Sequence, residues 1–151
     1  MSEDEISMAA NQLVPELSVS NFAHSLDFYT RILGFSIVYQ RQEDGFAFLA
    51  LDEAQIMIDA IDPKGTWQTA PFEYPLRRGI NFQIAIEQVQ PLLDTLQQNN
   101  IALFITVQER WYRKNDTELG QKQFLVQDPD GYLLRFTEDI GSRPLQQLPD
   151  S

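Results

Sequence analysis

The chain contains no cysteine, one histidine, and half as many basic as acidic side chains, 11 against 22. Without cysteine there can be no disulfide, no thiolate metal site and no cysteine nucleophile. With His24 as the only imidazole, hydrolysis by a serine–histidine pair is not expected. His24 itself is read as an exposed residue of a helix. The formal net charge of −11 opposes nucleic-acid binding, where neutralised phosphate supplies most of the affinity. It would favour cationic small molecules through long-range attraction, although the same acidity also serves solubility alone. No run of ~18 apolar residues occurs, so no helix is expected to cross a membrane. The opening MSEDEISMAANQ carries acids where a signal peptide carries bases, and no apolar segment follows. It reads as a mobile polar leader, residues 1–12, on a cytoplasmic protein. Neither GxGxxG nor the phosphate-cradling P-loop pattern is present.

What is present is an internal repeat. The 151 residues, 43% of them apolar, make one domain or two small joined halves. Shifting the sequence by 67 lays VPELSVSNFAHSLDFYTRILGFSIVYQ (14–40) on NFQIAIEQVQPLLDTLQQNNIALFITV (81–107) without a gap. Leu17 meets Ile84, Val19 meets Ile86, Phe22 meets Val89, Leu26 meets Leu93 and Asp27 meets Asp94. After a longer insertion in the second copy, Phe48, Leu49 and Asp52 meet Phe124, Leu125 and Asp128. Beyond them FLALDEAQIMI and FLVQDPDGYLLRF read as one segment with different turns, which sets Met57 against Arg135.

Each copy is predicted as β-α-β-β-β, an α+β chain of two tandem βαβββ modules. In the first, Leu17 and Val19 alternate with polar neighbours as in a half-buried strand. Ser20 or Asn21 can cap a helix whose apolar positions Phe22, Leu26, Tyr29 and Leu33 recur at 3–4 spacing, and Gly34 can end it. Strands are expected over 36–41, 46–51 and 55–60. In the second, a strand over 80–86 precedes a helix over 88–98, with Pro91 tolerable in its first turn. Strands are expected near 102–108, 121–127 and 132–137, with DPDG as a turn. The modules span residues 13–61 and 79–139. Residues 62–78, with Trp67, Phe72 and Tyr74, read as a packed linker, and 140–151 as a tail.

The paired modules, FYTRILGF after the first strand and DPDGY before the last resemble the vicinal oxygen chelate superfamily, which includes glyoxalase I, extradiol dioxygenases and bleomycin resistance proteins. The resemblance covers residues 13–139. It implies a cup-shaped mixed sheet with helices on its convex side and, in the metalloenzymes, four ligands on the concave side. Carried onto this chain, those positions are Val14, Met57, Asn81 and Arg135. Val has no donor atom, a thioether is soft and Arg is cationic at any working pH, so no metal is expected there. By strand alternation the concave face should hold Glu16, Met57, Asp59, Asn81, Gln83 and Arg135, with Glu16 or Asp59 paired to the arginine.

The insertion QERWYRKNDTELGQK (108–122) should form an extended hairpin bearing Trp111 and Tyr112, either as packing or as rings that stack on a ligand. Among the resemblances, the acidic, metal-free cup is closest to the bleomycin resistance proteins. The implied function is sequestration of a drug or metabolite, without cofactor or catalytic residue, by a homodimer whose clefts combine one chain's first module with the other's second. The alternative is a glyoxalase-like lyase, isomerase or dioxygenase with a rearranged metal site, or acid–base chemistry on Glu16 or Asp59. A third class is a module that binds another protein. Neither nucleic acid nor a membrane is an expected partner.

Overall fold

The computed structural model describes residues 9–65, 68–76 and 78–145. The chain is α+β and divides into two compact units, each a four-stranded mixed sheet built from one βαβββ module. The first unit comprises residues up to Gly79 together with the turn Asp128–Tyr132, and the second comprises 80–127 and 133 onward. Trp67 lies outside the described residues. Among the described residues no helix is long and apolar enough to cross a membrane.

In the first unit the strands β1 (Glu16–Val19), β2 (Ser36–Arg41), β3 (Phe46–Leu51) and β4 (Ala54–Ala60) lie in the order β1-β4-β3-β2. β1 runs parallel to β4, and the other pairs are antiparallel. A parallel neighbour requires a crossover, which helix α1 (Phe22–Asp27) supplies. Asn21 caps that helix, its side-chain oxygen accepting the His24 N–H at 3.1 Å. The helix continues as a wider π-helical turn, Phe28–Ile32, and ends at Gly34 with φ +88°. Tyr29, Leu33, Val19, Leu49 and Ile58 are buried and form the core.

The first unit also holds the turn 128–132. Tyr29, fully buried, donates its hydroxyl to Asp128 Oδ2 at 2.8 Å, and Asp128 Oδ1 accepts the N–H groups of Asp130 and Tyr132. Asp130 Oδ2 accepts the Ser20 N–H at 3.0 Å, and the Tyr132 hydroxyl donates to the Ser18 carbonyl at 2.9 Å. Burial, helped by the carboxylates of Asp128 and Asp130, pushes Tyr132 up to about 12, so its hydroxyl keeps the proton that it donates.

The second unit repeats the plan. Strands β5 (Asn81–Ala85), β6 (Ile105–Lys114), β7 (Thr117–Gln127) and β8 (Leu133–Pro144) lie in the order β5-β8-β7-β6, and α2 (Gln90–Gln98) is the crossover. Ile84, Phe124, Val126, Leu134 and Phe136 are buried along one side of the sheet, and Val89 and Leu96 of the helical segment are buried too. Phe124 and Phe136 stack at 5.5 Å. Glu138 accepts the Val89 N–H at 2.9 Å, a donor that α2 itself leaves unpaired.

Two boundaries differ from the sequence reading. β6, β7 and β8 form one continuous hairpin sheet, so strand β8 runs to Pro144 where a tail is expected from 140. The leader is tied down at its end: Asn11 N–H donates to Gln55 Oε1 at 2.6 Å and Gln55 Nε2 donates to the Ala9 carbonyl at 3.0 Å.

Candidate functional site

Each sheet has one face lined by the buried core and one open face. The register shows which side chains share the open face of the first unit. Glu16 lies opposite Met57 and Ser18 opposite Asp59 across β1 and β4. Phe48 lies opposite Met57 and Phe46 opposite Asp59 across β4 and β3. Tyr39 and Arg41 lie opposite Phe48 and Phe46 across β3 and β2. Glu16, Met57 and Asp59 are therefore brought together, as the alternation predicts.

Three rings that the sequence reading missed floor the same face. Tyr39 stacks on Phe48 with centroids 5.3 Å apart and planes at 17°, and lies 5.8 Å from Phe46. The Arg41 guanidinium sits 4.1 Å over the Phe46 ring, a cation–π contact. Phe46 and Phe48 are buried, whereas Tyr39 is 48% exposed. The missing signal was hidden by β3 itself: FAFLAL is apolar at every position, so nothing in it distinguishes one face from the other.

Asp59 is the electrostatic centre of this face. Burial raises its carboxyl from 3.8 to about 6, the neighbouring Glu16 adds to the rise, and the Ser18 hydroxyl works against it. Asp59 Oδ1 is buried and accepts no hydrogen bond within the described residues. Such an oxygen is costly unless something donates to it.

The corresponding face of the second unit carries a cation among polar side chains, with Leu125 and Leu133 buried on the same side. Gln83 lies opposite Arg135, and Arg135 opposite Leu125. Gln83 opposite Arg135 repeats Glu16 opposite Met57, so Met57 and Arg135 are true equivalents. Asn81 and Gln83 are exposed on β5. Arg135 Nε and Nη2 donate to Gln123 Oε1 at 3.1 and 2.8 Å, and Nη2 also donates to Gln121 Oε1 at 3.2 Å. Gln123 Nε2 in turn donates to the Tyr112 hydroxyl at 2.9 Å, and the Tyr112 ring lies 5.5 Å from the guanidinium. Within its own unit the partners of Arg135 are thus two glutamines and a tyrosine.

Trp111 and Tyr112 do not share a face. They are consecutive residues of β6, and successive side chains of a strand point to opposite sides. Trp111 lies across Gly120 on β7, where an added Cβ would come within 2.7 Å of the indole and 2.8 Å of Ile140. Arg143 covers the ring at 4.0 Å and pairs with Glu118 at 3.5 Å. The indole packs on this hairpin, away from Arg135. Trp111→Ala should therefore lower the urea midpoint, by roughly 1–3 kcal/mol of stability, and leave ligand affinity unchanged in a titration.

The pleat also corrects the alignment of the two modules by one residue. Phe48 shares the open face with Met57, whereas Phe124 pairs with Phe136 in the core of the second unit. Leu125, opposite Arg135, is the true counterpart of Phe48.

The residues present do not fit the metal centre that the fold implies. Val14 has no donor, Met57 offers a thioether, and Arg135 is a cation held by amide oxygens. Among the described residues no three His, Asp or Glu side chains converge. His24 is exposed on α1.

Comparison with known proteins agrees with this architecture. The family model for the Glyoxalase/Bleomycin resistance protein/Dioxygenase superfamily matches residues 10–136. Bleomycin resistance proteins from Geobacillus stearothermophilus and Staphylococcus aureus are 29% identical over 140 residues, covering 87% of this chain and 98% of theirs. Among solved structures, TioX from Micromonospora sp. ML1 is 18% identical with a TM-score of 0.60, covering 87% of this chain and all of its own. It shares the fold.

Proposed function

The chain belongs to the glyoxalase/bleomycin resistance protein/dioxygenase superfamily, and on that premise we propose that it is a metal-free binding protein that sequesters a small molecule. Its ligand is flat and carries an N–H donor, cationic or neutral, and it lies on the open face of the first unit. The observation that carries this reading is Asp59 Oδ1, a buried carboxylate oxygen without a donor, set beside the stacked rings of Tyr39, Phe48 and Phe46. A ligand N–H supplies the missing hydrogen bond while its ring system covers Tyr39. Met57 adapts to the ligand's shape, because an unbranched thioether fills irregular gaps. The relatives named bleomycin resistance proteins support a drug of this chemistry as the first to try.

On the open face of the second unit, Arg135, Gln121, Gln123, Tyr112, Asn81 and Gln83 suit a polar or anionic group through amide and guanidinium hydrogen bonds. Arg135→Gln should therefore weaken anionic ligands more than neutral ones.

Isothermal titration with bleomycin and with a panel of planar amines tests the reading. Binding to the wild type is expected, with Asp59→Ala and Phe48→Ala each weakening it at least tenfold, about 1.4 kcal/mol, while circular dichroism stays native. Affinity indifferent to both substitutions would overturn the reading, as would no binding to any compound. Ligand recovered chemically altered would favour acid–base catalysis on Asp59 instead.

A further inference from the structure

In the first unit the linker meets the turn 128–132 and forms with it a cavity of about 330 Å³, beyond the ends of β1 and β4. Ser20 and Ile61, the residues that follow those strands, line it together with Phe72, Tyr74, Leu76 and Asp130. The Leu76 N–H donates to the Asp130 carbonyl at 3.1 Å, which holds the linker against the turn. Small-molecule sites are commonly of this size, with mostly apolar walls and a few placed polar groups.

Asp130 is the charged member of this wall, and only 5% of it is exposed. Its N–H donates to Asp128 Oδ1 at 2.9 Å, and its Oδ2 accepts the Ser20 N–H at 3.0 Å. Oδ1 accepts no hydrogen bond among the described residues, and no described lysine or arginine pairs with the carboxylate. Arg78, the basic residue of an adjoining cavity, is bound to Glu73 at 3.3 Å instead. A largely buried carboxylate with one oxygen unmatched is costly until a donor reaches it, and a cationic donor serves best.

We propose that this cavity is a second ligand site, for a small ammonium ion with a compact apolar body. The ammonium donates to Asp130 Oδ1 in a charge-assisted hydrogen bond. Phe72 and Tyr74, rings that stay 38% and 65% exposed, add cation–π attraction. Ile61 and Leu76 receive the apolar body. An anion would meet the carboxylate itself, and a neutral donor would gain less from it, so the charge selects a cation. The bonds that fix Asp130 exist before the ligand arrives, which leaves little ordering to oppose binding. None of Tyr39, Phe48, Met57 and Asp59 lines the cavity, so the site holds whatever the open face binds.

Titration of the full chain with cyclohexylammonium, followed in amide proton–nitrogen correlation spectra, is the test. The probe is cationic at neutral pH and too puckered to stack flat on Tyr39. Up to about 10 mM, a range suited to so few atoms, it should shift the Ser20, Leu76 and Asp130 amides saturably. Cyclohexanol, of like shape without the charge, should bind at least tenfold more weakly. Asp130→Asn should also cost at least tenfold, because the Ser20 N–H keeps the amide oxygen and the NH2 group then meets the ligand. Phe72→Ala and Tyr74→Ala remove part-exposed rings and should each weaken the probe about two- to fivefold. Native circular dichroism shows that each variant is folded. Should Asp130→Asn fail to fold, undiminished binding by both ring variants overturns the proposal in its place. No saturable shift in the wild type would refute it, as would Asp130→Asn binding like the wild type. So would equal binding of cyclohexanol, which would leave an apolar cavity and nothing more, or shifts centred on Phe48 and Met57, which would put the amine on the open face.

Discussion

Asp128→Ala should lower the stability of the fold by about 3–5 kcal/mol, read as a fall in the urea midpoint. The carboxylate accepts one hydroxyl and two backbone N–H groups, all buried. Alanine leaves the three donors without a partner, and Tyr29, at 0% exposure, has no route to water. Asp128→Asn keeps the shape and the Oδ1 acceptor, and its amide can donate to the Tyr29 oxygen, so its cost should be nearer 1–2 kcal/mol. The two variants also separate by pH. Burial raises Asp128 from 3.8 to about 6, against the pull of its three hydrogen bonds. The native state then holds a proton that the unfolded chain releases, so this contribution is complete below about 3.8 and is lost as pH rises to about 6. Asp59 slopes the same way over the same range. Asp27, held low by Arg31, acts in the opposite sense and below that range. Urea midpoints should therefore fall between pH 4 and 6 in the wild type and fall less in Asp128→Asn. A midpoint that climbs across that interval would contradict the assignment.

Gly131→Ala should be comparably damaging, at about 3–5 kcal/mol. Gly131 has φ +86°, where a side chain is strained. Its Cβ would stand 2.5 Å from Pro75 Cβ and 2.8 Å from Pro75 Cα, so backbone would have to move. Gly34 is the control: at φ +88° it has nothing within 4 Å of the added carbon. Gly34→Ala should cost only the conformational share, about 1–2 kcal/mol. Thermal or urea unfolding of the two variants distinguishes the contact from the dihedral, and equal losses would mean that Pro75 yields.

The repeat, the strand and helix order, the Asn21 cap and the open-face residues of β1 and β4 were all readable from periodicity, because each of those strands buries one face only. Legibility failed where that condition failed. β3 is apolar on both faces, so Phe46 and Phe48 gave no alternation, and the module alignment slipped by one there. Trp111 and Tyr112 are adjacent in the insertion, and the regular strand β6 sends adjacent side chains to opposite faces, which an irregular hairpin excursion need not do. The partners of Arg135 depend on cross-strand register, which is disturbed at Ile105/Gln108 and Gly120/Gln121 by irregularities that composition does not announce. Two glutamines two residues apart on the neighbouring strand carry no signal of their own.

The turn that completes the first unit comes from residues 128–132, 68 positions after that unit's last strand ends at Ala60 and 49 after Gly79. As the chain leaves the ribosome, Tyr29 waits for Asp128 and Ser20 for Asp130 until nearly the whole sequence has been made. Domains usually fold from the N-terminus as they are synthesised. Here the first unit cannot reach its finished form that way, and its last buried hydrogen bonds close only when the second module is largely complete.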